Sequence, residues 1–418
     1  MKKNKIFIQI ASYRDPELLP TIKDCIAKAK YPKNLVFSIA WQHSPDDKWD
    51  NLSEYKNDKR FKIIDIPYLK SEGVCWARHQ LQQNYNNEEY TLQLDSHHRF
   101  AENWDIDLIA VYKKLQEEGY KKPLLTGYIP SYEPNNDPAG RILVPWRMEF
   151  DRFSPEGVIH TQPDSIDNFK ELDLPIHARF YSAHFAFTTG KFVLEVPHDP
   201  DFYFHGEEHS ISARAYTWGY DLFHPVRIYI WHEYTRRDKK KQWDDVITWP
   251  AKNEESFKRC RQLFDMEPRT KEFGKYDFGK IRSLEDYEKY SGISFKRKSV
   301  QQYTLDKKLP PNPVLKGEEY EKSFVNMFKH CIDVGYDRVP EKDYDFWVVA
   351  FHSEGEPNDS TTLFRKDADK NEIDGFFKDA DHYCKIWREF ITSHKPAYWV
   401  VWPHSVSKGW CERLTGNI

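Results

Sequence analysis

The residues best suited to chemistry stand where an apolar run ends: Leu92-Gln93-Leu94 leads into Asp95-Ser96-His97. A carboxylate and an imidazole so spaced at a strand end can turn toward one ion. A hard divalent cation accepts such oxygen and nitrogen ligands and keeps positions open for phosphate oxygens. Alone, Asp-x-His serves as readily as a structural carboxylate beside a solvated histidine. His232, directly after the run Arg227–Trp231, is a candidate third ligand, but in a chain with 17 histidines its position decides nothing by itself. Glu207 and Glu208 follow Gly206 and precede a helical stretch. Two acids there could orient a hydroxyl or hydrogen-bond a sugar, or simply answer a helix dipole. Arg78, in Gly73-Val74-Cys75-Trp76-Ala77-Arg78, lies near a predicted helix N-terminus, where backbone N–H groups already favour anions. A surface arginine would read the same. The basic run Arg236–Lys241 reads as a phosphate-handling loop or as a solvated one.

The elements that must position these groups alternate. Lys5–Ala11, Leu35–Trp41, Phe61–Ile66 and Tyr90–Leu94 read as strands, and Glu17–Lys30, Gly73–Tyr85 and Trp104–Glu118 as helices. Strands alternating with helices predict an α/β fold with a mostly parallel sheet covered on both faces. Ligands in such sheets sit beyond the carboxyl ends of the strands, which places Ser12–Asp15 and Asp95–Arg99 at one edge. From Thr126 to Phe204 the chain reads as proline-rich and irregular, with the short apolar run Ala183–Thr188. Ser212–Trp218 fits a helix, and residues 236–310 read as charged and mostly helical. The linker composition of Lys307–Pro313 predicts a boundary, giving domains 1–310 and 317–418. The second reads as a small α+β or β-rich appendage, with apolar runs at Asp345–Phe351 and Ala397–Trp402 and a helix near Ala380–Ser393.

Composition narrows the classes. The 418 residues carry a formal charge of −4 with acids and bases mixed, so no basic field points to nucleic acid. No stretch approaches the roughly 20 apolar residues of a membrane span. Six scattered cysteines without a CxxC pair read as reduced thiols of a cytoplasmic protein. Aromatic residues reach 16%, a supply suited either to stacking on sugar rings or to building a core with only 4 methionines.

The order of these pieces carries more than each one alone. G-x-x-x-A-R (Gly73 to Arg78), an apolar strand, D-x-H (Asp95, His97), G-E-x-x-x-x-S-x-R-x-x-x-x-G (Gly206 to Gly219) and H-x-x-x-R (His232, Arg236) together resemble the retaining, Rossmann-like GT-A glycosyltransferases. The likeness is to the polypeptide N-acetylgalactosaminyltransferases. It is closer to the hydroxyproline-directed polypeptide N-acetylglucosaminyltransferases, through Ile10–Asp15, Asp95–Phe100 and Arg282–Tyr287, and it spans Ile6 to Phe295. The resemblance implies Asp95, His97 and His232 as ligands of Mn²⁺ or Mg²⁺, a DXD-like site, and Arg78 as a contact of the donor nucleotide. It implies that Ser12 and Arg14 frame the nucleotide. It places Glu207 beside the donor sugar and acceptor, with Glu208 as its neighbour. Ser182-Ala183-His184-Phe185 stands where those families line the sugar pocket with small residues. The galactosaminyl group has Gly-Gly there, a departure that leaves the donor sugar open; the resemblance implies a UDP-N-acetylhexosamine donor, and its closer side favours GlcNAc. Arg236, with the basic run after it, would close over the diphosphate. The acceptor would be a hydroxyl of a protein or glycan.

Other readings stay open on the sequence alone. A polysaccharide-building transferase would carry the same site. A non-catalytic sugar-nucleotide or carbohydrate-binding protein would be free to lose the trio Asp95, His97 and His232, which is intact. A metal-dependent hydrolase would be expected to show H-E-x-x-H or a dense histidine cluster, and neither is present.

Overall fold

The computed structural model describes residues 2–418 except 155, 237–238, 359, 379–381 and 393–394. They form two compact units, Met1–Arg297 with Tyr303–Val314, and Lys298–Gln302 with Leu315–Ile418.

In the first unit the chain runs β1 (Lys2–Tyr13), α1 (Leu18–Lys28), β2 (Leu35–His43), β3 (Phe61–Pro67), α2 (Val74–Gln82), β4 (Glu88–Leu94), β5 (His98–Phe100), α3 (Trp104–Glu117) and β6 (Pro123–Thr126). It continues through β7 (Trp146–Phe153), β8 (Ile159–Ser165), β9 (Ile176–His177), β10 (Phe185–Thr189), α4 (Phe192–Glu195), α5 (Glu207–Thr217), β11 (Asp221–His224), β12 (Ile230–His232), α6 (Gln242–Asp245) and α7 (Trp249–Leu263). Eight of these strands form one sheet in the order β3-β2-β1-β4-β10-β6-β11-β9. β3, β2, β1 and β4 are mutually parallel, and β10 runs antiparallel between β4 and β6.

The central strands are apolar on both sides because both faces are covered. Ile39 of β2 packs with Leu18 and Ile22 of α1, whereas its neighbour Ala40 packs with Ala77 and Leu81 of α2. Adjacent residues of a strand point to opposite faces, so α1 and α2 cover opposite sides of the sheet. The Rossmann-like, mostly parallel α/β fold expected from the alternation is therefore the fold found, and it aligns the ends of β1 and β4.

Three local expectations need correction. The stretch Thr126–Phe204 is not simply irregular: β7 and β8 form an antiparallel hairpin. Its charged residues hide the strand pattern, since Glu149 is buried beside Arg147 and Arg179 rather than facing water. Glu207 and Glu208 do not precede the helix but form the first turn of α5. In the second unit Tyr383–Thr392 is a strand rather than a helix, and the ends of that expected helix, Ala380 and Ser393, lie outside the described residues. Its buried residues Cys384, Ile386, Arg388, Phe390 and Thr392 recur every second position, the strand period. Among the described residues the α-helices of this unit are Gly317–Lys322 and Lys370–Phe376, the latter capped by the Asp369 side chain.

The second unit is β-rich. Phe324–Gly335 pairs with Tyr383–Thr392, and Tyr344–His352 with Tyr398–Ser405, around a core that includes Trp347 and Phe390. Among the described residues no helix is long and apolar enough to cross a membrane. The six cysteines are free thiols.

Candidate active site

β4 ends at Leu94, and the chain turns so that Asp95 and His97 face His232 at the end of β12. The pairing of β12 with β5 sets this register, placing His232 opposite His98. His98 is wholly buried and holds the corner: its Nε2 accepts the Asp95 backbone N–H at 3.2 Å, and its Nδ1 lies 3.0 Å from the Trp231 carbonyl oxygen. The Thr21 hydroxyl of α1 binds the carbonyls of Ser96 and His98, so helix and strand end are fastened together.

Asp95 Oδ2 lies 3.6 Å from His232 Nε2 and 3.9 Å from His97 Nε2, too far for hydrogen bonds. Ligand atoms of all three residues fall within 4.8 Å of one another. Both ring nitrogens of His232 are buried without a hydrogen-bond partner. Buried polar atoms are rarely left unmade in this way, because each costs about 1–3 kcal/mol. A divalent cation between the three residues would satisfy His232 Nε2, the nitrogen that faces Asp95, so the donor set fits such an ion. Electrostatics agree: burial pushes His232 down to about 4, so at neutral pH the ring is uncharged and keeps one nitrogen lone pair free. Burial alone would raise Asp95, but His232 and Arg78 outweigh it and hold the carboxylate well below its ordinary range.

Arg78 does more than its position suggested. Two conditions bring it inward. Gly73 takes φ +115° at the start of α2, where a Cβ would lie 2.8 Å from the Tyr203 ring, and Ala77 packs flat against the sheet. The Arg78 guanidinium then binds Asp95 at 2.8 Å and both oxygens of Glu207 at 2.7 and 2.8 Å. Only its Nε lacks a partner. Gly206, at φ +97°, lets α5 start against Phe202 and Cys260. Burial would raise Glu207, yet Arg78 and His198 lower it to about 2. Glu208 accepts the Ala183 N–H at 2.8 Å, and burial raises it to about 7.

His184 stacks on His232 at 4.3 Å, with its Nε2 3.2 Å from the Tyr234 hydroxyl. It therefore buttresses the histidine while lining the cleft. That cleft, about 690 Å³, contains Asp95, Glu207, Glu208, His184 and His232. It extends past Tyr128 and Trp146 to the β7–β8 hairpin and Phe204, an aromatic wall that sequence reasoning missed.

Ser12 and Arg14 end β1 at the same edge but away from that cleft. The Ser12 hydroxyl is buried without a partner. Arg14 binds Asp47 in a fork and Asp245 of α6, which also receives the Tyr13 hydroxyl at 2.9 Å. Arg236 lies 3.1 Å from Asp15; Arg237 and Asp238 of the same basic run are outside the described residues. Asp15 and His198 were missed as site residues. Asp15 stood inside a quoted motif, whereas His198 reaches Glu207 from a loop that carries no local signal.

The sheet is that of a GT-A-type α/β protein, and the residues described above gather beyond the ends of β1 and β4. The model of the family described as Glycosyltransferase (GlcNAc) matches residues 5–60 and 46–297, well over half of the chain, and the protein belongs to that family. A comparison with curated proteins finds no match. Among solved structures, GalNAc-T7 with UDP, GalNAc and Mn²⁺ is similar at 15% identity and TM-score 0.43, over 68% of this chain and 54% of that one. S. aureus TarS 1-349 with UDP-GlcNAc is similar at 13% and 0.37, over 58% and 61%. The mannosyltransferase PcManGT from Pyrobaculum calidifontis, with GDP-Man and Mn²⁺, is similar at 11% and 0.36, over 56% and 58%. The chain thus spans little more than half the length of these three proteins.

Proposed function

We propose that the protein is a metal-dependent, retaining glycosyltransferase that moves an N-acetylhexosamine, GlcNAc in preference, from a UDP-sugar to a hydroxyl of a protein or glycan. The observation that carries this reading is the trio Asp95, His97 and His232 on the D-x-H and H-x-x-x-R segments, with both His232 nitrogens buried and unpartnered. These three residues would hold Mn²⁺ or Mg²⁺. When bound, the cation would neutralise charge developing on the departing diphosphate.

The chain's own residues do the positioning. Arg78 fixes Asp95 and Glu207 relative to each other and lines the cleft that would receive the donor. Ser12 and Arg14 bound the nucleotide edge. The sugar would occupy the cleft between His184 and the two acids. Glu207, ionised, accepts hydrogen bonds from hydroxyls there; Glu208, at about 7, can donate or accept. In a retaining reaction the acceptor attacks from the face that UDP leaves, and the leaving phosphate can take its proton. Such an enzyme works by orientation and fixed charge, and needs no strong protein base. Arg236 would move from Asp15 onto the diphosphate. The unit from residue 317 onward is read as an accessory that either binds the acceptor or places the enzyme on a partner. The hydroxyproline-directed likeness, through Ile10–Asp15 and Asp95–Phe100, favours a protein acceptor.

Calorimetric titration of UDP with and without Mn²⁺ tests the metal assignment. Asp95→Ala should abolish the Mn²⁺-dependent part while circular dichroism stays unchanged. An unaltered UDP affinity in that variant would remove the assignment.

A further inference from the structure

Asp15 lies on the loop between β1 and α1, and both oxygens of its buried carboxylate are engaged. Oδ1 takes the backbone N–H of Glu17 at 3.0 Å at the entry to α1. Oδ2 takes the Ser96 hydroxyl at 2.6 Å, stands 2.7 Å from His97 Nδ1, and meets the Arg236 guanidinium at 3.1 Å. The residue is 1% exposed.

A carboxylate facing a guanidinium is ionised and can only accept hydrogen bonds. His97 must therefore present a proton on Nδ1. In a neutral imidazole the lone pair is then on Nε2, the nitrogen that faces Asp95 and His232. A carboxylate bound to the far nitrogen of a ligating histidine fixes its ring and raises its basicity, an effect worth about 10–100-fold in metal affinity. The second connection runs to Arg236, four residues after His232 in the chain. Asp15 thus ties the His97 side of the trio to the segment that leaves its His232 side.

We propose that Asp15 is a positioning residue. It sets the tautomer and orientation of His97 for a divalent cation. This rests on the metal reading given above, and goes beyond it in assigning a residue that touches neither cation nor substrate.

The test is Mn²⁺ titration of the full chain followed by electron paramagnetic resonance, without nucleotide. Asp15→Asn should weaken Mn²⁺ binding by about 10–100-fold. The same change made on His97→Ala should produce no additional loss, because Asp15 acts through that ring; a general loosening of the fold would add to it. Independently of any variant, a long-range ¹H–¹⁵N spectrum of the metal-free wild type should give His97 as the Nδ1–H tautomer. Wild-type affinity in Asp15→Asn, an additional loss on His97→Ala, or an Nε2–H tautomer would each overturn the proposal while leaving the metal site standing. A wild type that binds no Mn²⁺ would overturn both.

Discussion

Replacing Arg78 with methionine removes one cation from between two carboxylates and leaves the chain length nearly unchanged. Glu207 is the partner from which the effect can be sized, since it is buried and bound through both oxygens. Its fall from 4.5 to about 2, made against burial by Arg78 and then His198, corresponds to about 3 kcal/mol of stabilisation of the ionised form. Asp95 keeps 26% of its side chain exposed, so solvent screens its share and it adds less. Removing one partner of a buried pair costs about 3–5 kcal/mol, and a loss of about 3 kcal/mol at pH 7 is expected for Arg78→Met. The sign with pH is specific. In the wild type a depressed Glu207 contributes stability that is present above 4.5 and is lost as pH falls toward 2. Without Arg78, burial dominates and Glu207 rises, so the folded variant gains stability on acidification. The gap between the two proteins should therefore narrow as pH falls below about 5. Urea unfolding at several pH values, followed by tryptophan fluorescence, measures it. A loss under 1 kcal/mol at pH 7, or a gap that widens on acidification, would refute the bridge as described.

Other consequences follow from the same contacts. His232→Phe keeps the stacking on His184 but removes two unpartnered nitrogens; it should preserve or slightly raise thermal stability while abolishing Mn²⁺ binding. Glu208, raised from 4.5 to about 7, contributes stability below its unfolded pKa that is lost as pH rises through 7. Glu208→Gln should flatten that dependence, gaining up to about 3 kcal/mol over wild type at pH 8 and little at pH 4 in denaturant titrations. Asp245→Ala releases the Arg14 and Tyr13 contacts of α6, and should speed tryptic cleavage at Lys239–Lys241 with a melting temperature within about 2 °C of wild type.

Much of the scaffold was legible because burial on both faces leaves a simple record. The runs around Ile8, Ile39 and Leu92 read as strands, and the helical spacing of Leu18, Ile22 and Ile26 as the helix between the first two. That Asp95, His97 and His232 lie together followed from the resemblance and not from either segment alone, since an Asp-x-His and a single strand-end histidine each read as well without an ion. What stayed hidden depends on long-range pairing. The charges of Arg147 and Glu149 masked a hairpin, because a buried ion pair looks like surface in a sequence. Arg78 read as a helix-terminal anion hook, and nothing local says that it also joins Asp95 to Glu207, which stands 129 residues after it in the chain. Asp15 lay in a conspicuous motif, but nothing local says that its carboxylate reaches His97. The strand Tyr383–Thr392 was lost to a composition, Lys385-Ile386-Trp387-Arg388-Glu389, that suits either structure until its alternation is read residue by residue.

The central claim is transfer from a UDP-sugar at a metal-dependent site, and UDP release from a panel of UDP-sugars, without acceptor, with Mn²⁺ or with EDTA, tests it most directly. Slow turnover of UDP-GlcNAc or UDP-GalNAc that requires Mn²⁺ and is lost in Asp95→Ala is the expected result, and the faster substrate names the donor. No turnover and no binding of any UDP-sugar would contradict the account and leave a carbohydrate-binding protein on a transferase fold. Full-rate hydrolysis without acceptor would contradict it in the other direction, as the behaviour of a hydrolase.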